Sequence, residues 1–194
     1  LQCLTKGQGK YMNTELRLKR WKRDSIYIDI NKTFIHAVNQ KTFDESIYKY
    51  IPNHKDPHLN LLYETNHRLV AIKKADESDE VIFRQMNVVD YPDVFLTNTS
   101  FESPRQISVA NPQQSDYIWP TVEQLSWTSY DGKQIDGLLY KPENFDSTKE
   151  YPMLVYFYEL YSQRKHNHYI PKPTASIIYA TEYTSAGYVV FIPD

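Results

Sequence analysis

The chain has 194 residues, near-average apolar content and a formal charge of −2, which suits one or two domains and gives no electrostatic reason to invoke nucleic acid or an anionic membrane. Seventeen Tyr against only five Gly favour a β-rich protein, because Tyr suits half-buried pleated surfaces. The single Cys3 excludes an internal disulfide, and no run approaches the ~18 apolar residues of a membrane span.

In chain order, the first hundred residues read as short strands divided by polar turns. The chain opens on Leu-Gln-Cys-Leu, so any targeting segment is expected to have been removed or left out. Lys19-Arg-Trp-Lys-Arg23 mixes basic and aromatic residues, but one short cluster in a slightly acidic chain reads as a solvated strand edge, not a nucleic-acid site. Ser25–Ile30 alternates apolar and polar residues. Thr33–Val38 and Ser46–Ile51 flank the polar Asn39–Glu45 segment as a hairpin. Leu59–Tyr63, Arg68–Lys73, Val81–Met86, Asp93–Thr97 and Arg105–Val109 continue the series, with Lys74–Glu80 a loop by composition. Strands at this spacing predict a sandwich, a barrel or propeller blades, and no internal repeat chooses among them. His36 falls on a predicted strand as a packed or edge residue, and His54 and His58 are loop-like.

A change of pattern comes at about Gln113–Glu123, where Asn111–Pro120 is a polar, Pro-bearing segment that suits a domain connection. Val122–Tyr130 and Gln134–Tyr140 follow, joined by Asp131-Gly132, a strong hairpin signal because both residues tolerate positive φ. Trp119 and Trp127 are expected to pack the junction between two domains. Lys141–Glu150 is a surface loop. Glu150–Tyr158 and Gly187–Asp194 are then nearly continuous apolar runs, as expected of parallel strands buried on both faces. Thr174–Ala186 is long enough for the crossover helix such a pair requires, with Pro173-Thr174 as its start and Gly187 as its cap. The sequence reaches Asp194 at the carboxyl end of the second strand, where open α/β sheets place their ligands, so the sheet reads as started and unfinished. His166-Asn-His168 has the look of a metal-ligand pair, but no carboxylates or thiols lie near it in sequence; an exposed loop and no metal are predicted.

Trp127-Thr-Ser-Tyr-Asp-Gly132, Gly137-Leu-Leu-Tyr-Lys-Pro142, Tyr151-Pro152, Tyr156-Phe-Tyr-Glu159 and Gly187–Asp194 together resemble the prolyl oligopeptidase family of serine peptidases, close to bacterial members near the dipeptidyl-peptidase IV and acylaminoacyl-peptidase branches. The resemblance covers Trp119–Asp194 well and the upstream residues weakly. It implies the last blades of an all-β propeller over residues 1–116, followed over 117–194 by the N-terminal part of an α/β-hydrolase domain, truncated before the nucleophile. It also implies a peptide substrate, acyl-enzyme chemistry, no cofactor, a possible homodimer of the longer protein and, by analogy, a periplasmic or exported bacterial enzyme. The family's nucleophile sits in a Gly-x-Ser-x-Gly elbow that this sequence lacks, and the triad Asp and His follow it, so no triad residue is expected here.

By motif position the resemblance assigns Tyr158 as the phenol that donates to the tetrahedral oxyanion. A phenol is a neutral donor with pKa near ~10, and such donors are worth about 3–4 kcal/mol in the transition state. Pattern alone favours packing for a strand-end Tyr with Tyr151, Tyr156, Tyr161 and Tyr169 nearby, and Glu159 is at most a rim residue. The alternative from another class is a catalytically dead homologue or a propeller that serves as a binding module. An esterase is disfavoured, since no His-Gly-Gly-type loop follows the first apolar run.

Overall fold

The computed structural model describes all residues except 1–4, 6, 22–27, 54–56 and 176. Cys3, His54, Lys22, Arg23 and the first half of Ser25–Ile30 therefore lie outside the described residues. The chain divides into two compact units, one formed by residues 1–85 and 93–109 and the other by 86–92 and 110–194.

The first unit holds a one-turn helix, α1 (Gln8–Tyr11), and two four-stranded sheets laid down in chain order. The first sheet contains β1 (Thr14–Arg20), β2 (Thr33–Asn39), β3 (Glu45–Ile51) and β4 (His58–Thr65); all its pairs are antiparallel. The second contains β5 (Arg68–Lys74), β6 (Glu80–Met86), β7 (Asp93–Asn98) and β8 (Arg105–Gln106). Two successive four-stranded meanders are what propeller blades look like. β1 was not anticipated: TELRLKR carries charges at alternate positions and leaves most of its residues exposed. The described end of Ser25–Ile30 is no strand, because Asp29 caps a 3-10 turn at Ile30–Lys32 through its side chain. His58 opens β4 and does not sit in a loop, and β8 is shorter than Arg105–Val109.

The core of this unit comes from the inward faces of both sheets. Phe34, Ile47, Leu69, Val81, Phe83 and Phe101 form one buried cluster. Phe83 stacks on Phe95 at 5.5 Å and lies 5.7 Å from Phe101 and 5.9 Å from Tyr63. Burying one such aromatic contributes about 1.5–3 kcal/mol. A buried polar link ties the sheets as well. Glu45 of β3 accepts the Leu69 N–H of β5 at 2.8 Å, and the same oxygen lies 2.6 Å from His36 Nε2 of β2.

The second unit is built on a mixed sheet of order β11-β12-β10-β9. β9 (Thr121–Thr128) and β10 (Gln134–Lys141) form the expected hairpin. Its turn is not the two-residue type. The Gly132 N–H donates to Ser129 O at 2.9 Å and Gly132 alone takes positive φ, +82°, which makes a type I turn closed by a glycine bulge. β12 (Val189–Pro193) pairs antiparallel with β10 and parallel with β11 (Met153–Val155). Leu138, Tyr140, Val190, Ile192, Ala180 and Tyr161 form its core.

Burial on both faces holds for β12, whose Val189, Val190 and Ile192 are buried, but not for β11, where Met153 and Val155 are half exposed. β11 is at the sheet edge and only Leu154 turns toward the core. The crossover helix, α2 (Ala180–Ser185), has six residues and does not start at Thr174. The described residues before it are not helical; Tyr169 stacks on Tyr179 at 5.1 Å and Lys172 lies over the same ring. The predicted stop is present: Gly187 takes φ +86° and donates to Thr184 O, while the Tyr188 N–H returns to Tyr183 O. Those two bonds are a Schellman cap, and Tyr183 and Tyr188 supply its apolar contact.

Candidate functional site

The carboxyl ends of the parallel pair β11 and β12 carry the loop that holds Tyr158. The Tyr156 N–H donates to Phe191 O at 3.0 Å, extending the ladder one residue past Val155. Phe157, Tyr158, Glu159 and Leu160 then leave the sheet, and Phe157, Tyr158 and Leu160 are 75%, 81% and 66% exposed. Tyr158 thus lies three residues beyond the end of its strand, not on it, and is not a packed tyrosine.

The loop returns at Tyr161, which is buried. One oxygen of the Asp194 carboxylate accepts the Tyr161 N–H at 2.5 Å and the Ser162 N–H at 2.8 Å, capping the 3-10 turn Ser162–Arg164. Asp194 is itself fixed, since its N–H donates to Asp136 O at 2.9 Å. The two loop ends also meet directly, with the Tyr156 and Tyr161 hydroxyls 3.3 Å apart and their rings edge to face at 5.6 Å. That hydrogen bond, helped by burial, pushes the Tyr161 phenol up to about 12, so it stays neutral at ordinary pH. Arg164 covers the Tyr161 ring at 4.3 Å and pairs with Glu159, so Glu159 is not merely a solvated rim carboxylate. Beneath this layer Tyr140 is buried and its phenol is raised further by desolvation.

Tyr158 is legible from the family motif, whereas the pairing of Asp194 with Tyr161 and Ser162 is not. Asp194 was visible as a strand-end residue, but its partners lie 32 and 33 residues back, and no local pattern reveals them.

The remaining candidates resolve as structure. His168 is half-buried, against the exposed loop expected. Its ring packs on Trp119 at 4.7 Å and Tyr91 at 5.5 Å, and its Nδ1 lies 3.1 Å from Val88 O. Burial lowers its pKa, and its Nε2 is buried without a hydrogen-bond partner. Trp127 lies 5.6 Å from Phe191 across the mixed sheet. Both tryptophans find aromatic partners inside the second unit. Among the described residues no group of three His, Cys, Asp or Glu could hold a metal ion, and no helix is long and apolar enough to cross a membrane. In the first unit a cavity of about 620 Å³ is lined by residues that include Arg20, Trp21, Lys49 and Asp79. Several of its charges are engaged locally, as in the Lys32–Asp29 pair at 3.5 Å and the Lys74 bonds to Ala75 O and Ser78 O.

No protein-family model matches the chain, and no curated protein matches it. Solved structures do. AtxE2 isopeptidase superimposes with a TM-score of 0.56 at 13% identity over 93% of this chain and 31% of that one. A structure from a study of two prolyl endopeptidases gives 0.55 at 14% identity over 94% and 24%. A post-proline cleaving enzyme from Rickettsia typhi gives 0.54 at 14% identity over 94% and 24%. This chain therefore spans about a quarter to a third of the length of these structures, and at such identities the likeness is one of fold: a β-rich chain built like part of prolyl endopeptidases and of an isopeptidase.

Proposed function

We propose that this chain is part of a serine peptidase of the prolyl oligopeptidase type, hydrolysing peptide bonds through an acyl-enzyme. In this reading residues 1–116 are the last blades of a propeller, and residues 117–194 begin an α/β-hydrolase sheet. The observation that carries the reading is the order of the mixed sheet, β11-β12-β10-β9, in which an antiparallel hairpin adjoins a parallel pair whose two strands are linked by a helix-bearing crossover. In this reading the layout would begin a doubly wound sheet, with its loops at the carboxyl ends of the parallel strands, where such sheets bind ligands. The two meanders of the first unit and the peptidase names of the structural neighbours point the same way.

Tyr158 takes the role of oxyanion donor. Its phenol is exposed on the loop that follows β11, with no hydrogen-bond partner among the described residues, so its O–H is available to a substrate oxygen. The chain supplies no elbow serine, so the attacking hydroxyl, the His that takes its proton and the Asp that orients the His would all come from residues beyond Asp194. The substrate is a peptide, and the reaction needs no cofactor.

The test is labelling of the whole gene product with a fluorophosphonate, which captures an activated serine. The reading expects one labelled serine in a Gly-x-Ser-x-Gly elbow within about fifty residues after Asp194. A folded product that takes no label would support the binding-module alternative instead.

A further inference from the structure

The geometry points to Asp194 as a positioning residue that holds the Tyr158 loop in place. The inference rests on the oxyanion role proposed for Tyr158. The loop has two anchors: the Tyr156 N–H bound to Phe191 O at 3.0 Å, and the Tyr161 and Ser162 N–H groups bound to Asp194 at 2.5 and 2.8 Å. Only Phe157, Tyr158, Glu159 and Leu160 lie between them, and these have little burial of their own to fix them. Asp194 directly follows β12, and its own N–H is tied to Asp136 of β10. Its carboxylate therefore transmits the position of two sheet strands to the far end of the loop. Charge-assisted bonds from two backbone amides to one carboxylate are among the stronger fixings available to a loop. Ser162 is fully buried, so without Asp194 its N–H would be left with no water to replace the lost acceptor. The Tyr156–Tyr161 hydroxyl contact and the Arg164–Glu159 pair support the same loop, which limits the effect of removing any one anchor.

The consequence is kinetic. An oxyanion donor displaced by about 1 Å loses much of its value, on the order of 100-fold at the extreme. In the whole peptidase, Asp194→Ala is expected to lower kcat on a peptide anilide about 10- to 100-fold with KM within about twofold. Asp194→Asn, which keeps the acceptor oxygen, should recover most of that loss. Combined with Tyr158→Phe, Asp194→Ala should add no more than about twofold, because it acts through that phenol. Amide exchange at Tyr161 and Ser162, read in the same samples, should speed at least about tenfold in Asp194→Ala. An unchanged kcat in Asp194→Ala, or full multiplication of the two losses, overturns the inference. If Tyr158→Phe alone leaves kcat intact, the oxyanion reading fails separately, and exchange at the two amides still decides whether Asp194 holds the loop. Should Asp194→Ala not fold, Asp194→Asn carries the test: equal damage from removing only the charge would refute a role played by the acceptor oxygen.

Discussion

Glu45 offers the sharpest test of how the first unit is held together. Its side chain is almost fully buried and its Oε2 serves two partners at once, the Leu69 N–H at 2.8 Å and His36 Nε2 at 2.6 Å. Leu69 is itself 3% exposed, so water cannot take over the donor when the carboxylate is removed. One buried orphaned donor costs about 1–3 kcal/mol, and two, with the buried pair broken, give about 3–5 kcal/mol for Glu45→Ala. With a urea slope near 2 kcal/mol/M, the unfolding midpoint of the first unit should fall by about 2 M. Trp21, 4.4 Å from Phe34 in this unit, reports the transition once Trp119 and Trp127 are replaced by Phe. A double cycle with His36→Ala should show coupling of at least about 1 kcal/mol. A loss below about 0.5 kcal/mol for Glu45→Ala would refute the claim that this carboxylate joins the two sheets, and strict additivity with His36→Ala would exclude a contribution from the His36–Glu45 contact.

Two further outcomes follow from the second unit. His168 has a pKa lowered mainly by burial, so the unfolded chain binds a proton that the folded one refuses; stability present above the unfolded value near 6.5 should be lost as pH falls toward the lower folded value. The slope is at most about 1.4 kcal/mol per pH unit, and His168→Phe should flatten the difference in unfolding free energy between pH 7.5 and 5.5; an identical slope in the variant would exclude His168 as its source. Gly187→Ala forces a Cβ into φ +86°, where no neighbour clashes, so the cost is conformational alone, about 1–2 kcal/mol in thermal or urea unfolding.

Most strands were legible because their signal is local. β2, β3 and β4 carry apolar residues with turn chemistry between them, and Asp131-Gly132 marks its hairpin even though the turn is a residue longer than a two-residue type. Where reading failed, distant contacts decide. β1 shows no core face in sequence and is defined by pairing with β2. The Glu150–Tyr158 run looks doubly buried, yet only three residues pair in β11, which has a single neighbour. Thr174–Ala186 has the length of a crossover helix, but among its described residues only Ala180–Ser185 is helical, and Tyr179 just before it is held by the Tyr169 stack. At the site, the family resemblance supplied Tyr158. The Asp194 cap depends on partners more than thirty residues away, and the Glu45 link on one 24 residues away, which periodicity cannot encode.

The most direct measurement is the hydrolysis of a peptide anilide by the whole gene product, with Tyr158 and with Tyr158→Phe. Removing one oxyanion donor predicts a fall in kcat of about 100- to 1000-fold with KM little changed. Equal kcat in a folded Tyr158→Phe variant would contradict the account at its centre.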